Sequence, residues 1–247
     1  MLRYVLFGSP GRFYSQGGVK NNFLRKEILN RFLIYNRWPV AKAGMPFILL
    51  GLTLTFLAIY AAIPVLPFPL FALTLLTIYF FRDPERQSNG RPEEIVSPAD
   101  GKIIGIETLK DEASPIGAPC IKISIFMSVF DVHVNRIPLT GVIAYIKYRK
   151  GAFFSADLDK ASSENERNSI TIDTQTGEKI AVVQIAGLVA RRISCWVREG
   201  DSVQKGQRFG LIRFGSRVEL FLPAGSVVLA KMRQRVVAGK TLLGVLT

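Results

Sequence analysis

A mainly β domain preceded by an N-terminal membrane helical hairpin is the architecture that three features of this chain predict. Residues 43–81 contain no Asp, Glu, Lys or Arg. Three prolines, Pro64, Pro67 and Pro69, interrupt the middle of that apolar stretch. Beyond residue 94, runs of about four to eight residues rich in Val, Ile and Phe are separated by Gly, Pro, Asp or Asn, the pattern of short strands joined by turns.

Residues 1–42 form a basic N-terminal extension, with an amphipathic stretch near Phe23–Tyr35 suited to a membrane surface. The charge-free window that follows would measure roughly 58 Å as one helix, about twice the hydrocarbon core of a bilayer. The prolines break helical hydrogen bonding halfway along. The window is therefore expected to fold as a membrane hairpin over 43–82, with a first helix near Met45–Ile63 and a shorter, re-entrant or spanning segment near Leu70–Phe81. Arg25, Lys26, Arg31, Arg37 and Lys42 precede it, and Arg82, Arg86 and Arg91 follow it. Basic flanks at both ends place both on the cytoplasmic side, and with them the β-rich domain of residues 83–247. The formal net charge of +13 fits an anionic membrane surface, and no motif points to nucleic acid. Cys120 and Cys195 stand alone, which excludes a disulfide framework or a cysteine-built zinc site; no metal site is expected.

Arg82-Asp-Pro-Glu-Arg86 and the polar run to Glu94 read as a linker. Strands are expected at Lys102–Glu107, Ile121–Phe126, Gly141–Tyr148, Ser169–Asp173, Ile180–Ile185, Arg208–Arg213, Arg217–Leu222 and Val227–Ala230. Between them, Ala156–Lys160 suits a short helix and Ser162–Asn168 a polar loop.

The single histidine, His133, is the one unperturbed side chain here able to exchange protons near neutral pH. It sits in Asp131-Val-His-Val-Asn-Arg136, where alternation groups Asp131, His133 and Asn135 on one side of an extended chain. Asp100 lies in Ser97-Pro-Ala-Asp-Gly101 at the mouth of a strand, and Ser216 in Phe214-Gly-Ser-Arg217 close to the C-terminus. Asp, His and Ser are the parts of a nucleophilic triad. Ser216 lacks the GxSxG surround of a hydrolase nucleophile, but Gly215 precedes it. A serine whose preceding carbonyl is unhindered can attack that carbonyl, and glycine tolerates the strained backbone involved.

Several motifs in one order resemble the phosphatidylserine decarboxylase proenzymes of the short bacterial and archaeal type. The likeness runs from Trp38-Pro39 through Phe80-Phe-Arg-Asp-Pro-Glu-Arg86, Ser97-Pro-Ala-Asp-Gly101 and Phe130-Asp-Val-His-Val-Asn-Arg136. It continues through Gly151-Ala-Phe-Phe154, Asn165-Glu-Arg-Asn168 and Ile185–Arg192 to Phe214-Gly-Ser-Arg217. The resemblance implies self-cleavage between Gly215 and Ser216, with His133, oriented by Asp100, taking the Ser216 proton. It also implies a covalent pyruvoyl cofactor derived from Ser216, a β chain of residues 1–215 and an α chain of residues 216–247. The pyruvoyl ketone would form a Schiff base with the amine of phosphatidylserine and accept electrons as carbon dioxide leaves, giving phosphatidylethanolamine. Archaetidylserine or a related lipid presents the same head group. Many family members carry a histidine where this chain has Phe130, so His133 or water must supply every proton. Arg136, Lys147 and Arg149 are candidate partners for the lipid phosphate. The two chains would form a heterodimer, open to further oligomerisation, on an anionic phospholipid membrane.

Val197–Gly210 resembles the turn-and-strand pattern of biotinyl and lipoyl modules, which predicts a barrel-like β sandwich. A membrane-anchored carrier or adaptor is the alternative from another class, although Lys231-Met232 lacks the surround of a modified lysine.

Overall fold

The computed structural model describes residues 39–110, 114–152, 154–155, 164–187, 193–213 and 216–247. A 3-10 turn at Lys42–Gly44 leads into helix α1, Met45–Tyr60, and helix α2 follows at Pro67–Phe80. Pro46 and Pro67 sit in the first turn of their helices, where the missing N–H costs nothing. For that reason α2 starts three residues before the expected Leu70. Ile48, Thr55 and Ala58 are the buried residues of α1, while Leu49, Leu50, Phe56 and Leu57 lie exposed with most of the hairpin. A helix apolar all round requires an apolar surround. The segment Lys42–Tyr60 is long and apolar enough to cross a membrane by length and composition, which suggests membrane association; α2 is shorter. The arms approach closely at Gly51, where a Cβ would come within 2.4 Å of Thr74 Oγ1. Thr55 and Thr74 turn their hydroxyls back onto the Gly51 and Leu70 carbonyls at 2.8 Å, so neither leaves an unpaired polar atom in the seam.

The rest is β, as the alternation predicts. The first strands are β1 (Glu94–Val96), β2 (Gly101–Leu109), β3 (Cys120–Met127), β4 (Val134–Arg136) and β5 (Gly141–Arg149). They are followed by β6 (Arg167–Thr174), β7 (Lys179–Ala186), β8 (Ile193–Cys195), β9 (Ser202–Val203) and β10 (Arg208–Ile212). The chain ends with β11 (Ser216–Pro223), β12 (Val227–Val228), β13 (Arg235–Val236) and β14 (Leu242–Val245). An eight-stranded antiparallel sheet in the order β13-β2-β3-β11-β7-β6-β5-β9 curls into a half-barrel. Two three-stranded sheets, β1-β14-β12 and β4-β10-β8, accompany it. Alternate residues of the large sheet, among them Ile123, Ile125, Ile170, Val182, Val218 and Leu220, join Phe209 and Leu243 in one core.

Two expectations are corrected. Arg167 and Asn168, read as the end of a polar loop, begin β6 because they pair with Arg149 and Tyr148. The Arg82–Arg86 segment is no free linker but a strap sewn to the domain. Asp83 accepts Arg208 Nε at 2.9 Å on both oxygens, and Glu85 accepts Arg208 Nη2 at 2.9 Å. Arg86 holds Asp100, and Arg136 donates to the Pro84 carbonyl at 2.9 Å. The Phe23–Tyr35 stretch and the expected helix at Ala156–Lys160 lie outside the described residues.

Candidate active site

Ser216 opens β11, the central strand of the large sheet, and is hydrogen-bonded in register with Met127 of β3 and Ala186 of β7. Its side chain points to the core side with Val218 and Leu220, and the residue is fully buried. The hydroxyl donates to Met127 Sδ at 3.4 Å, a weak acceptor. Phe214 and Gly215 lie outside the described residues.

His133 immediately precedes β4. Its carbonyl accepts Ile212 N–H at 3.3 Å, which brings it beside the strand that leads to Ser216. Its Nδ1 lies 2.9 Å from the Asp131 carbonyl. Only a protonated Nδ1 can bond there, so Nε2 carries the lone pair. Nε2 is buried and has no hydrogen-bond partner among the described residues. The imidazole packs on Phe80, the last residue of α2, with ring centroids 4.3 Å apart. Burial pushes its pKa down from 6.5 to about 4, against the opposing pull of the Asp131 carbonyl and carboxylate. The imidazole is thus neutral at pH 7. Around it, Phe80, Phe81, Val132, Val134, Trp196 and Leu211 form a second apolar cluster that joins the hairpin base to the β4–β10 sheet.

Asp100 is placed by a tight turn in which Ser97 Oγ donates to the Ala99 carbonyl at 2.7 Å. Gly101 then starts β2 at φ 149°, and a Cβ there would meet the Phe126 carbonyl oxygen at 2.1 Å. Only glycine fits. The Asp100 carboxylate accepts both Arg86 Nη atoms, at 2.5 and 2.8 Å, and the Ala238 N–H at 2.8 Å. It makes no hydrogen bond to His133, although its charge favours the protonated imidazole slightly.

A buried amide chain also reaches the serine. Asn168 Nδ2 donates to Gln184 Oε1 at 3.0 Å, and Gln184 Nε2 donates to Asn135 Oδ1 at 2.8 Å. Asn135 Nδ2 then points at Met127 Sδ at 3.7 Å, the same sulfur that holds Ser216. Asn165 braces the neighbouring strand by donating to the Ala186 carbonyl at 2.8 Å.

The candidate phosphate contacts do not assemble here. Arg136 is buried, donates to the Gly206 carbonyl at 2.8 Å and lies 3.6 Å from Asp83, so its guanidinium is part of the strap. Lys147 and Arg149 line a groove of about 520 Å³ with Arg167, Glu219 and Phe221. Glu219 and Phe221 alternate with the core-facing residues of β11, so that groove lies on the sheet face opposite the Ser216 side chain. Sequence reasoning missed Arg86, Gln184 and Met127. Arg86 stood in a charged run taken for solvated linker, and a methionine or glutamine in a strand carries no local signal.

A sequence profile of the phosphatidylserine decarboxylase family matches residues 73–244. The phosphatidylserine decarboxylase proenzyme of Syntrophus aciditrophicus is 50% identical over 211 residues, covering 83% of this chain and 96% of its own length. The protein of the same name from Desulfotalea psychrophila is 47% identical over 206 residues, covering 83% and 96%. That from Ruegeria pomeroyi is 50% identical over 199 residues, covering 76% and 90%. With matches of this extent spanning the hairpin base, His133 and Ser216, the chain belongs to the phosphatidylserine decarboxylase family.

Proposed function

We propose that this chain is a self-cleaving proenzyme that decarboxylates phosphatidylserine to phosphatidylethanolamine at the cytoplasmic face of the cell membrane. One observation carries the reading: a fully buried serine begins β11, and His133, whose carbonyl accepts a hydrogen bond from the β10 strand that leads to it, has a buried Nε2 with no hydrogen-bond partner among the described residues.

In this scheme Nε2 of His133 takes the Ser216 proton, and Oγ adds to the Gly215 carbonyl carbon. The Gly215–Ser216 C–N bond breaks as the C–O bond forms, giving an ester and a free Ser216 amine. Loss of the Ser216 Cα proton then expels Gly215 as a carboxylate. Water replaces the nitrogen of the resulting dehydroalanine, releasing ammonia and leaving a pyruvoyl group. That group supplies an electron sink for the pair left behind as carbon dioxide departs. The residues present fit its formation: Ser216 is fully buried and fixed between two strands, and the buried Nε2 of His133 has no hydrogen-bond partner among the described residues. Asp100, held by Arg86, contributes charge and backbone placement in this scheme rather than a direct hydrogen bond. With Phe130 in place of a second imidazole, the proton that ends the carbanion comes from His133 or water.

Cleavage would leave residues 1–215 and 216–247 as two chains. They would stay together because the short fragment supplies β11, hydrogen-bonded on both sides within the large sheet. The likeness of 197–210 to biotinyl and lipoyl modules supports a barrel-like β sandwich as a proposal about fold, and not a carrier role.

Intact-mass analysis of denatured protein tests the reading. Two chains split after Gly215, the shorter blocked by pyruvoyl, are expected from the native sequence, and one intact chain from Ser216→Ala. A single unprocessed chain from membranes that decarboxylate would overturn it. Assays with diacyl and archaeal ether-linked serine lipids then identify the substrate tails.

A further inference from the structure

The turn that leads into the His133 segment carries an apolar tip where polar residues ordinarily sit. Val129 and Phe130 are 47% and 62% exposed. The turn is held shut from within: Asp131 Oδ2 accepts the Ser128 N–H at 2.8 Å and the Ser128 hydroxyl at 2.7 Å, and Asp131 N–H donates to the Ser128 carbonyl at 2.9 Å. Its shape is therefore set before anything binds.

It is also tied to the hairpin. Arg82, two residues past α2, donates through Nη2 to the Phe130 carbonyl at 2.6 Å and through Nη1 to the Tyr79 carbonyl at 2.8 Å. The same guanidinium stacks 4.0 Å over the Tyr79 ring. On the other flank Arg235, with a side chain 77% exposed, lies 3.3 Å from Asp131 Oδ1. The apolar tip is thus bracketed by two arginines and joined to the foot of a hairpin whose own surface is exposed Leu, Ile and Phe. Apolar side chains dipping below a cationic rim are what an anionic bilayer surface accommodates.

We propose that the Ser128–Asp131 turn is a second membrane contact, inserting Val129 and Phe130 among the lipid head groups of an anionic bilayer. This rests on the membrane reading of the hairpin and goes beyond it. A hairpin alone is a single post about which the domain can rotate. A second contact fixes the rotation and holds His133, three residues from Phe130 and packed on Phe80, at the head-group level. The serine head group then meets the site without the lipid leaving the bilayer.

The test uses the full chain with Cys195→Ser as background, since Cys120 is buried. An environment-sensitive fluorophore is placed at Phe130→Cys, at Ile63→Cys on the hairpin tip, and at Glu178→Cys in the β6–β7 turn. Self-cleavage of each variant confirms folding. Vesicles of phosphatidylserine and phosphatidylcholine bearing shallow nitroxides are then added. The expected result is a blue shift and nitroxide quenching at 130, with no change at 178. A label at 130 that stays in water while the one at 63 is quenched overturns the second contact alone. Silence at both positions overturns the membrane reading as well. A blue shift at 130 without nitroxide quenching means that protein covers the turn, and also overturns the proposal.

Discussion

Arg86 grips Asp100 through both carboxylate oxygens, at 2.5 and 2.8 Å, in a pair whose side chains are only 7% and 12% exposed. The partner of the expected triad aspartate is therefore an arginine 14 residues upstream rather than the histidine. Removing one member of a buried pair leaves an uncompensated charge. Arg86→Gln is expected to destabilise the protein by about 3 kcal/mol and to slow self-cleavage. Arg86→Lys should rescue little, because a point charge cannot reproduce the two-pronged contact. Replacing both residues with leucine should recover most of the stability but not the cleavage. Thermal unfolding of the three variants in detergent checks the order.

The buried imidazole predicts an unusual pH profile. His133 titrates near 4 in the folded chain and near 6.5 unfolded, so the unfolded state binds more protons between those values. Its contribution is fully present above about pH 6.5 and is lost as pH falls to about 4, by about 3 kcal/mol in all. Self-cleavage should stay level from pH 8 down to about 5 and reach half its rate near 4. Phe80→Ala admits water beside the ring and should move that midpoint upward, toward 6.5. Rapid-mixing measurements of processing in freshly refolded proenzyme read both midpoints. An unchanged midpoint in Phe80→Ala would show that the ring does not dehydrate His133.

The chain of buried amides should matter to Ser216 without touching the substrate. Gln184→Leu strands the amides of Asn135 and Asn168, at a cost of about 1–3 kcal/mol. It also frees Met127, whose sulfur orients the serine hydroxyl. The expected outcome is slower cleavage, with near-normal decarboxylation in the fraction that matures. Equal losses in both steps would show a general folding defect instead.

With its 3-10 turn the first arm of the hairpin, Lys42–Tyr60, is long enough to cross a membrane, whereas the second, of 14 residues, reaches only roughly 21 Å, short of the ~30 Å hydrocarbon core. The hairpin tip, Ala61–Leu66, has no polar side chain to meet the far head groups. A cysteine at Ile63 is expected to resist impermeant maleimides from both sides of the membrane. Labelling from the outer side would show that the hairpin spans.

Lys147 and Arg149 face away from Ser216, so Lys147→Gln and Arg149→Gln should leave the KM for lipid within about twofold, while Arg136→Gln should lower stability through loss of the strap. Steady-state kinetics on mixed micelles, with thermal unfolding alongside, separates the two effects.

Much of this protein was legible in one dimension. The apolar window and its prolines determined two helices and their reversal, because helix length and proline chemistry are local. The seven longer strands, β2, β3, β5, β6, β7, β10 and β11, followed from alternation and turn residues for the same reason. Gly215–Ser216 and the lone histidine suggested the proposed self-cleavage, since few residue types can perform it. Of the shorter strands only β12 was expected, within Val227–Ala230; others, such as β4 and β13, were invisible because they are strands only where a partner lies alongside.

Faces and partners were decided in three dimensions. Nothing local tells that Arg86 reaches back to Asp100, that Arg136 is locked to Pro84, or that Lys147 lies across the sheet from Ser216. Those relations arise when a curled antiparallel sheet brings distant segments together and sorts alternate side chains to opposite sides. Composition and local pattern determined what this chain contains, and only burial and long-range pairing decided which charges neutralise each other and which side chains share a face.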